Sequence, residues 1–321
     1  MHGCHLTMDE REMMAQRRAQ GQSQAQIARH LGCHRATINR EVRRNAEPNG
    51  DYRPSRAQAR ADRRRRESKQ PWKLDGTDLG TSVQDRLRQS WSPEQIAGRL
   101  RLDHPEQRDR WVSHQGIYDW IARQRAAGGT WHTFLRQGHR KRRKRYRTSE
   151  KRGRIVGRVG IEHRPAVVET RSRLGDWESD TLTGSGSTVC LATHVERVSK
   201  YTVLAKLLDG TSARFNAGTL RAFGRHGDLP FETMTADNGK EFAAFGALER
   251  KLGLAVYFAQ PYHAWERGLN ENTNGLLRQF FPKGLDIAKA TYPYVKHVET
   301  LLNTRPRKAL GYRTPVEVLR E

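Results

Sequence analysis

Three carboxylates in this sequence have the types and positions to do phosphoryl chemistry. Asp237 stands in TADNGKEF, 235–242, straight after the apolar-leaning run FETMTA, with the turn signal Asn-Gly behind it. Alone, an aspartate at the end of a strand is unremarkable. Asp180 in GDWESDTLTG, 175–184, and Glu271 in RGLNENTNGLLRQFF, 267–281, are its candidate partners, with 33 residues between Asp237 and Glu271. Three such groups brought together are hard oxygen donors of the kind that suit Mg²⁺, or Mn²⁺. Two ions about 3.5–4 Å apart can activate a nucleophile and stabilise the leaving oxygen of a phosphodiester. Without metal, the carboxylates repel and one tends to stay protonated. The residues alone leave the choice open: Asp176 and Glu178 share a strand face with Asp180, Glu266 precedes Glu271, and Asn238 and His263 stand near as possible supports.

Bringing these groups together requires a sheet. GDWESDTLTG reads as a strand ending in GSGS, STVCLATHVE (187–196) as its hairpin partner and YTVLAKLL (201–208) as a third strand. A helix over 211–227, a fourth strand at 231–237, a helix over 239–253 and a fifth strand at 254–259 follow. The helix over 267–281 has Leu269, Leu276, Leu277 and Phe280 as its apolar residues, and TYPYVKHVETLLNTRP gives a last one. Three antiparallel strands followed by alternating helices and strands predict a mixed five-stranded α/β sheet with helices on its faces. In that order the first and fourth strands are neighbours, so Asp180 and Asp237 can project side by side.

The N-terminal part is all-α. In SQAQIARHLGCHRATINREVRRN, 23–45, Ser23 and Gln26 form a capping box. Ile27, Ala28 and Leu31 face inward, Gly32 makes the turn, and a second helix brings Ile38 and Val42 inward. This is helix-turn-helix spacing. Its outward positions, His34, Arg35, Thr37, Asn39, Arg40 and Arg43, can reach base edges and phosphates in a major groove; an ordinary helical hairpin is the plainer reading. A second pair follows. WSPEQIAGRL, 91–100, has Ser92 as cap, Pro93 at the first helical position and Gln95 closing the box, with Ile96, Ala97 and Leu100 inward. VSHQGIYDWIARQ, 112–124, starts at Ser113, with His114 and Gln115 as candidate DNA contacts and Ile117, Tyr118 and Ile121 inward. Packing or dimerisation explains this pair nearly as well as DNA binding.

Of the 321 residues, 59 are Lys or Arg against 35 Asp or Glu, a formal charge of +24, which calls for a polyanionic partner. Much of the excess sits in RADRRRR, 60–66, and in HRKRRKRYR, 139–147, with seven Lys or Arg; such runs lie on phosphates or serve as solvated linkers. Cys4, Cys33 and Cys190 are scattered, which argues against a disulfide framework or a zinc site. No apolar stretch reaches membrane-spanning length and no signal peptide is evident, so an intracellular, reduced protein is expected.

WESDT resembles the first-strand signature of the retroviral-integrase-like core, and ADNGKEF resembles its second-aspartate motif. HAWERGLNENTNGLLRQFFPKG, 263–284, is similar to the glutamate helix of transposases of the insertion-sequence-thirty family, and TRPRKALGYRTPVEVL is similar to their ending. The resemblance covers nearly the whole chain. It implies an RNase H-like fold carrying the triad Asp180, Asp237 and Glu271 as catalytic and metal-binding residues, with two Mg²⁺ (or Mn²⁺) ions per site. W-x-x-D-T favours Asp180 over Asp176 and Glu178, and family spacing favours Glu271 over Glu266. It further implies that the face bearing Glu271, Asn274 and Arg278 meets the DNA end, with Arg278 on a phosphate. The expected organisation is a helix-turn-helix domain at 1–50, a basic linker at 51–90, a second helix-turn-helix-like module at 91–125, a basic linker at 126–167 and an integrase-type catalytic domain at 168–321. The expected activity is metal-dependent cleavage and transfer of DNA strands at terminal inverted repeats. The expected partners are double-stranded DNA and a homodimer or higher oligomer, in the nucleoid-bearing cytoplasm. A non-catalytic DNA-binding regulator and a nuclease that cuts without joining are the alternatives.

Overall fold

The computed structural model describes residues 5–67, 72–136, 155–260 and 268–321. The basic run 139–147, His263 and Glu266 lie outside the described residues. The chain divides into two compact units, Met1–Trp72 and Lys73–Glu321.

In the first unit, α1 (Met8–Ala19) and α2 (Gln24–His30) each begin with a capping box, Thr7 with Glu10 and Ser23 with Gln26. Gly32 takes φ +63°, the left-handed turn expected of it. In α3 (Arg35–Asn45) the His34 side chain serves as the N-cap, accepting from the Ala36 N–H, rather than as an outward helical position. Met14, Ile27 and Ile38 are fully buried between the helices. The sequence over 54–67, expected to be linker, forms α4 (Pro54–Glu67). Its Ala, Arg and Gln residues are good helix formers, and Ala57 is buried in the same core. An ion pair between buried Arg11 and half-buried Glu41, Nε to Oε1 at 2.7 Å, ties α1 to α3, and the Tyr52 hydroxyl donates to the same oxygen at 2.9 Å.

The second unit opens with three helices. The remainder of the expected linker forms α5 (Asp78–Arg88); α6 (Pro93–Asp103) and α7 (His114–Ala126) follow, α6 with the predicted Ser92–Gln95 box. Leu74, Val83, Leu87, Ile96, Leu100, Ile117, Trp120 and Ile121 make its core. Tyr118, expected inward, is exposed, and Trp120 takes its place. Positions 117, 120 and 121 fall on one helical face, whereas 118 lies about 100° away. The stretch expected to be a second linker is also partly structured: a 3₁₀ turn over Trp131–Phe134 packs on Trp120, and β1 (Val159–Gly160) and α8 (Val167–Thr170) follow.

The sheet has six strands rather than five, ordered β1-β6-β5-β2-β3-β4, with β2 (Asp176–Thr183), β3 (Cys190–Glu196), β4 (Thr202–Leu207), β5 (Thr233–Ala236) and β6 (Ala255–Phe258). The added strand, β1, is a two-residue parallel pairing with β6, too short to leave a periodic signal. β2, β3 and β4 form the predicted antiparallel meander, and every residue of β3 is buried, as in a strand covered on both faces. On one face α9 (Ser212–Phe223) and α10 (Gly246–Leu252) pack over Trp177, Ala192, Met234 and Val256. On the other, α11 (Gly268–Leu277) and α12 (Tyr292–Asn303) pack over Leu182, Leu191 and Leu204. A last helix, α13 (Pro315–Arg320), follows. α12 also supplies backbone partners to β4. Asn303 accepts from the Thr202 N–H at 2.8 Å and donates to the Thr202 carbonyl at 2.7 Å, and Glu299 accepts from the Leu204 N–H at 2.6 Å.

His194, at the centre of β3, is fully buried between the hydroxyls of Ser179 (2.8 Å) and Thr219 (3.2 Å), and burial pushes its imidazole down to about 3. It is therefore neutral in the folded protein, whereas in the unfolded chain it titrates near 6.5. A folded value below the unfolded one means stability is lost as pH falls below about 6.5, by up to about 1.4 kcal/mol per pH unit until about pH 3. His194→Gln removes that slope. The gap in unfolding free energy between the parent and the variant, measured by urea unfolding, should be widest at pH 7 and narrow steadily toward pH 4.

Candidate active site

β2 and β5 run parallel with Asp176 beside Thr233, Trp177 beside Met234 and Glu178 beside Thr235. Carried two residues further, this register sets Asp180 beside Asp237 on neighbouring strands, about 5 Å apart in the backbone and on one face. The expected adjacency of these two strands is thus observed. Each carboxylate is oriented by a backbone N–H: Thr181 N donates to Asp180 Oδ1 at 2.9 Å, and Gly239 N donates to Asp237 Oδ1 at 2.8 Å across the Asn-Gly turn. Both aspartates are half-buried.

α11 brings the third group. Asn270, Thr273, Leu276 and Leu277 are its buried side, so two polar residues join the leucines there. Asn274 Nδ2 donates to Asp180 Oδ2 at 2.9 Å, and Thr193 donates to Asn274 Oδ1 at 3.4 Å. Glu271 is three residues before Asn274, so it stands one turn earlier on the same side of the helix; it is exposed. Arg278, one turn later and half-buried, donates to the Thr183 carbonyl at the end of β2 at 3.0 Å and to the Phe281 carbonyl at 3.3 Å. Among the described residues no three His, Cys, Asp or Glu side chains converge closely enough to hold a single ion.

The rival carboxylates on β2 are committed to the framework. Asp176 accepts from Thr233 Oγ1 at 2.7 Å and from the Arg173 guanidinium at 3.1 Å. Glu178 pairs with Arg197 at 2.5 Å and accepts from the Asn270 N–H at 3.1 Å, and both partners of the ion pair are buried. Burial pushes the Glu178 carboxyl up, against the pull of Arg197. Asn238 likewise serves the framework, donating to the Ala259 carbonyl at 2.8 Å and accepting from Arg158.

Sequence reasoning missed Glu241. Its carboxylate accepts from Thr181 Oγ1 at 2.7 Å, and a Cβ at Gly239 would press on both Glu241 Oε2 (2.3 Å) and Asp237 Oδ1 (2.8 Å). A fourth carboxylate therefore abuts the site from the other side of β2, since Thr181 points opposite to Asp180. Its position four residues after Asp237 in the same motif is the signal that would have found it.

Among the candidate DNA contacts of α3, Arg35, Asn39, Arg40 and Arg43 are exposed and Thr37 is half-buried. His114 and Gln115 are exposed in the first turn of α7, Gln115 donating to Asp119 at 2.7 Å.

These environments differ in how much of the fold depends on each carboxylate. Glu178→Ala leaves Arg197 buried without its partner, a loss of about 3–5 kcal/mol. Asp180→Asn keeps an acceptor at a half-buried position and should cost no more than about 1 kcal/mol. Thermal unfolding of the two variants should show a large drop in midpoint for the first and a small one for the second.

A helix-turn-helix domain model matches residues 2–45. The transposase for insertion sequence element IS4351 of Bacteroides fragilis is 37% identical over 318 residues, covering 99% of this chain and 96% of the relative. The transposase for IS1086 of Cupriavidus metallidurans is 37% identical over 98% of this chain and 94% of its own length. The transposase InsI for IS30A of Escherichia coli is 36% identical over 98% of this chain and 83% of its own. Among solved structures, the catalytic core domain of BIV integrase matches 45% of this chain and 93% of its own at a TM-score of 0.35 and 18% identity. With identity of this level running from the helix-turn-helix through the sheet domain, the chain belongs to the IS30 family of transposases.

Proposed function

We propose that the protein binds the terminal inverted repeats of an insertion sequence and catalyses divalent-metal-dependent cleavage and transfer of DNA strands with Asp180, Asp237 and Glu271. One observation carries the assignment of the site: the β2–β5 register aligns Asp180 with Asp237 while Asn274 of α11 bonds Asp180, with Glu271 one turn away. The donor set fits the ion. All three groups offer hard carboxylate oxygens. A carboxylate has about four acceptor positions, so accepting from Thr181, Asn274 or Gly239 is compatible with coordination. Asp180, Asp237 and Glu271 would hold Mg²⁺, or Mn²⁺, as a pair of ions. When bound, the ions lower the pKa of an attacking water and neutralise charge on the leaving oxygen.

The chain's own residues do the positioning. Asn274 and the Thr181 N–H fix the two oxygens of Asp180; the Gly239 N–H fixes Asp237. Cleavage breaks a P–O bond at the element's end and frees a 3′-hydroxyl. That hydroxyl then attacks a second phosphodiester in line, one P–O bond forming as another breaks. No Ser or Tyr nucleophile is required. Arg278 sits one turn beyond Asn274, where a shift from the Thr183 carbonyl would bring its fork to a phosphate. In α3, Arg35, Thr37, Asn39, Arg40 and Arg43 read the ends; His114 and Gln115 of α7 are further contacts. Two ends must be held at once, which calls for a dimer or larger assembly.

The test uses labelled duplexes bearing the element's own ends. With Mg²⁺ the parent protein should yield cut and joined products; Asp180→Asn, Asp237→Asn and Glu271→Gln should bind the ends and yield neither, and chelation with EDTA should silence the parent. End binding without products in any protein would favour a regulator, and unjoined cutting of any duplex a nuclease. Separately, Arg35→Ala, exposed on α3, should weaken end binding by about 1–3 kcal/mol in a gel-shift titration if it reads a base, and uniformly across sequences if it holds a phosphate.

A further inference from the structure

At the seam where the α5–α7 module meets the sheet domain, cations fall into two classes. Arg99 pairs both nitrogens of its fork with Glu317 at 2.7 Å, and Lys308 pairs with Glu94 at 2.6 Å. Three others beside them have no carboxylate partner among the described residues. Arg305 is buried, its Nε donating to Gln95 Oε1 at 2.9 Å and its Nη1 to Gln279 Oε1 at 3.4 Å. Arg307 donates Nη2 to the Leu302 carbonyl at 3.1 Å, and its buried Nε has no partner. Arg136 is exposed, its Nη2 lying 3.0 Å from where a Cβ on Gly275 would stand. The absence of a side chain at Gly275 thus lets the guanidinium lie against α11, on the turn next to Asn274.

Three like charges gathered with no counter-ion among the described residues are unfavourable unless something anionic completes them. The repulsion is felt. Burial, joined by the charges of Arg307 and Arg136, pushes the Arg305 guanidinium down to about 9, and burial with Arg136 pushes Arg307 to about 10. Both remain protonated at neutral pH. The two neutral amide oxygens and one carbonyl that they contact orient the forks without neutralising them. Planar forks held in this way match a phosphate diester.

We propose that Arg136, Arg305 and Arg307 form a cradle for a backbone phosphate of DNA, built jointly by the helical module and the sheet domain beside the helix that carries Glu271 and Asn274. The choice of DNA as the source of the phosphate rests on the reading of the protein as a DNA transposase. The cradle would tie a DNA strand to the seam, so that the second module contributes to positioning through the backbone rather than through base readout.

The experiment measures binding of the full chain to a duplex bearing the element's end, in EDTA, as a function of salt. Contacts made by α3 are common to all variants and cancel. Arg136→Gln and Arg307→Gln should each make the plot of log affinity against log salt shallower by about 0.9, the loss of one phosphate contact. Arg136→Lys should keep the slope. Thermal midpoints in chloride separate this from a packing role: Arg136→Gln should leave the midpoint unchanged or raise it, because one of three repelling charges is gone. Unchanged slopes in both glutamine variants, or weakened binding that tracks a lowered midpoint, would overturn the cradle. Because the readout needs neither metal nor turnover, a protein that binds DNA through the cradle and fails to join strands would sink the catalytic reading and leave this one standing.

Discussion

The parallel pairing of β2 with β5 is the constraint on which the rest of this structure depends. These strands are distant in sequence and arrive at the same place only because the β2–β3–β4 meander and α9 lie between them. Their register brings two aspartates side by side, and a slip of one residue would turn Asp180 to the opposite face. Several buried polar contacts fix that register. Thr233 bonds Asp176, Arg164 bonds Thr235, and Arg197 bonds Glu178. α11 is then anchored on the same strand by two contacts of different kinds, the Asn270 N–H on Glu178 and the Asn274 amide on Asp180.

Three acidic residues at alternate positions of one strand thus have three different environments, although their chemistry is the same. Asp176 is held by a threonine and an arginine at the strand's start. Glu178 is sealed against Arg197 in the interior. Asp180, nearer the carboxyl end of the strand, is half-buried and accepts from the Thr181 N–H and the Asn274 amide.

What was legible in the sequence was mostly local. Ser23–Gln26 and Ser92–Gln95 give away helix starts because a capping box is complete within four residues. The Asn-Gly after Asp237 gives the strand end for the same reason. The neighbouring aspartates followed from strand order, since β-α-β connections leave few topologies. What escaped was non-local. Arginine-rich α4 reads as a linker because its single buried stripe, with Ala57, is nearly hidden among charges. Trp120, on the inward face in place of Tyr118, also donates its indole N–H to Asp75, 45 residues away, at 2.8 Å. The commitment of Glu178 to Arg197 and the arginines at the seam depend on side chains that meet only in the folded chain.

The amide and carboxylate that α12 lays along β4 have a consequence for assembly. β4 is the outermost strand on its side of the sheet, and an open strand edge is a template on which another chain can continue the ladder. Asn303 and Glu299 already occupy the Thr202 and Leu204 groups that such a strand would need. Growth of the sheet from one copy into the next is therefore blocked along this border. A highly basic protein concentrated on DNA is thereby spared one common route into aggregates.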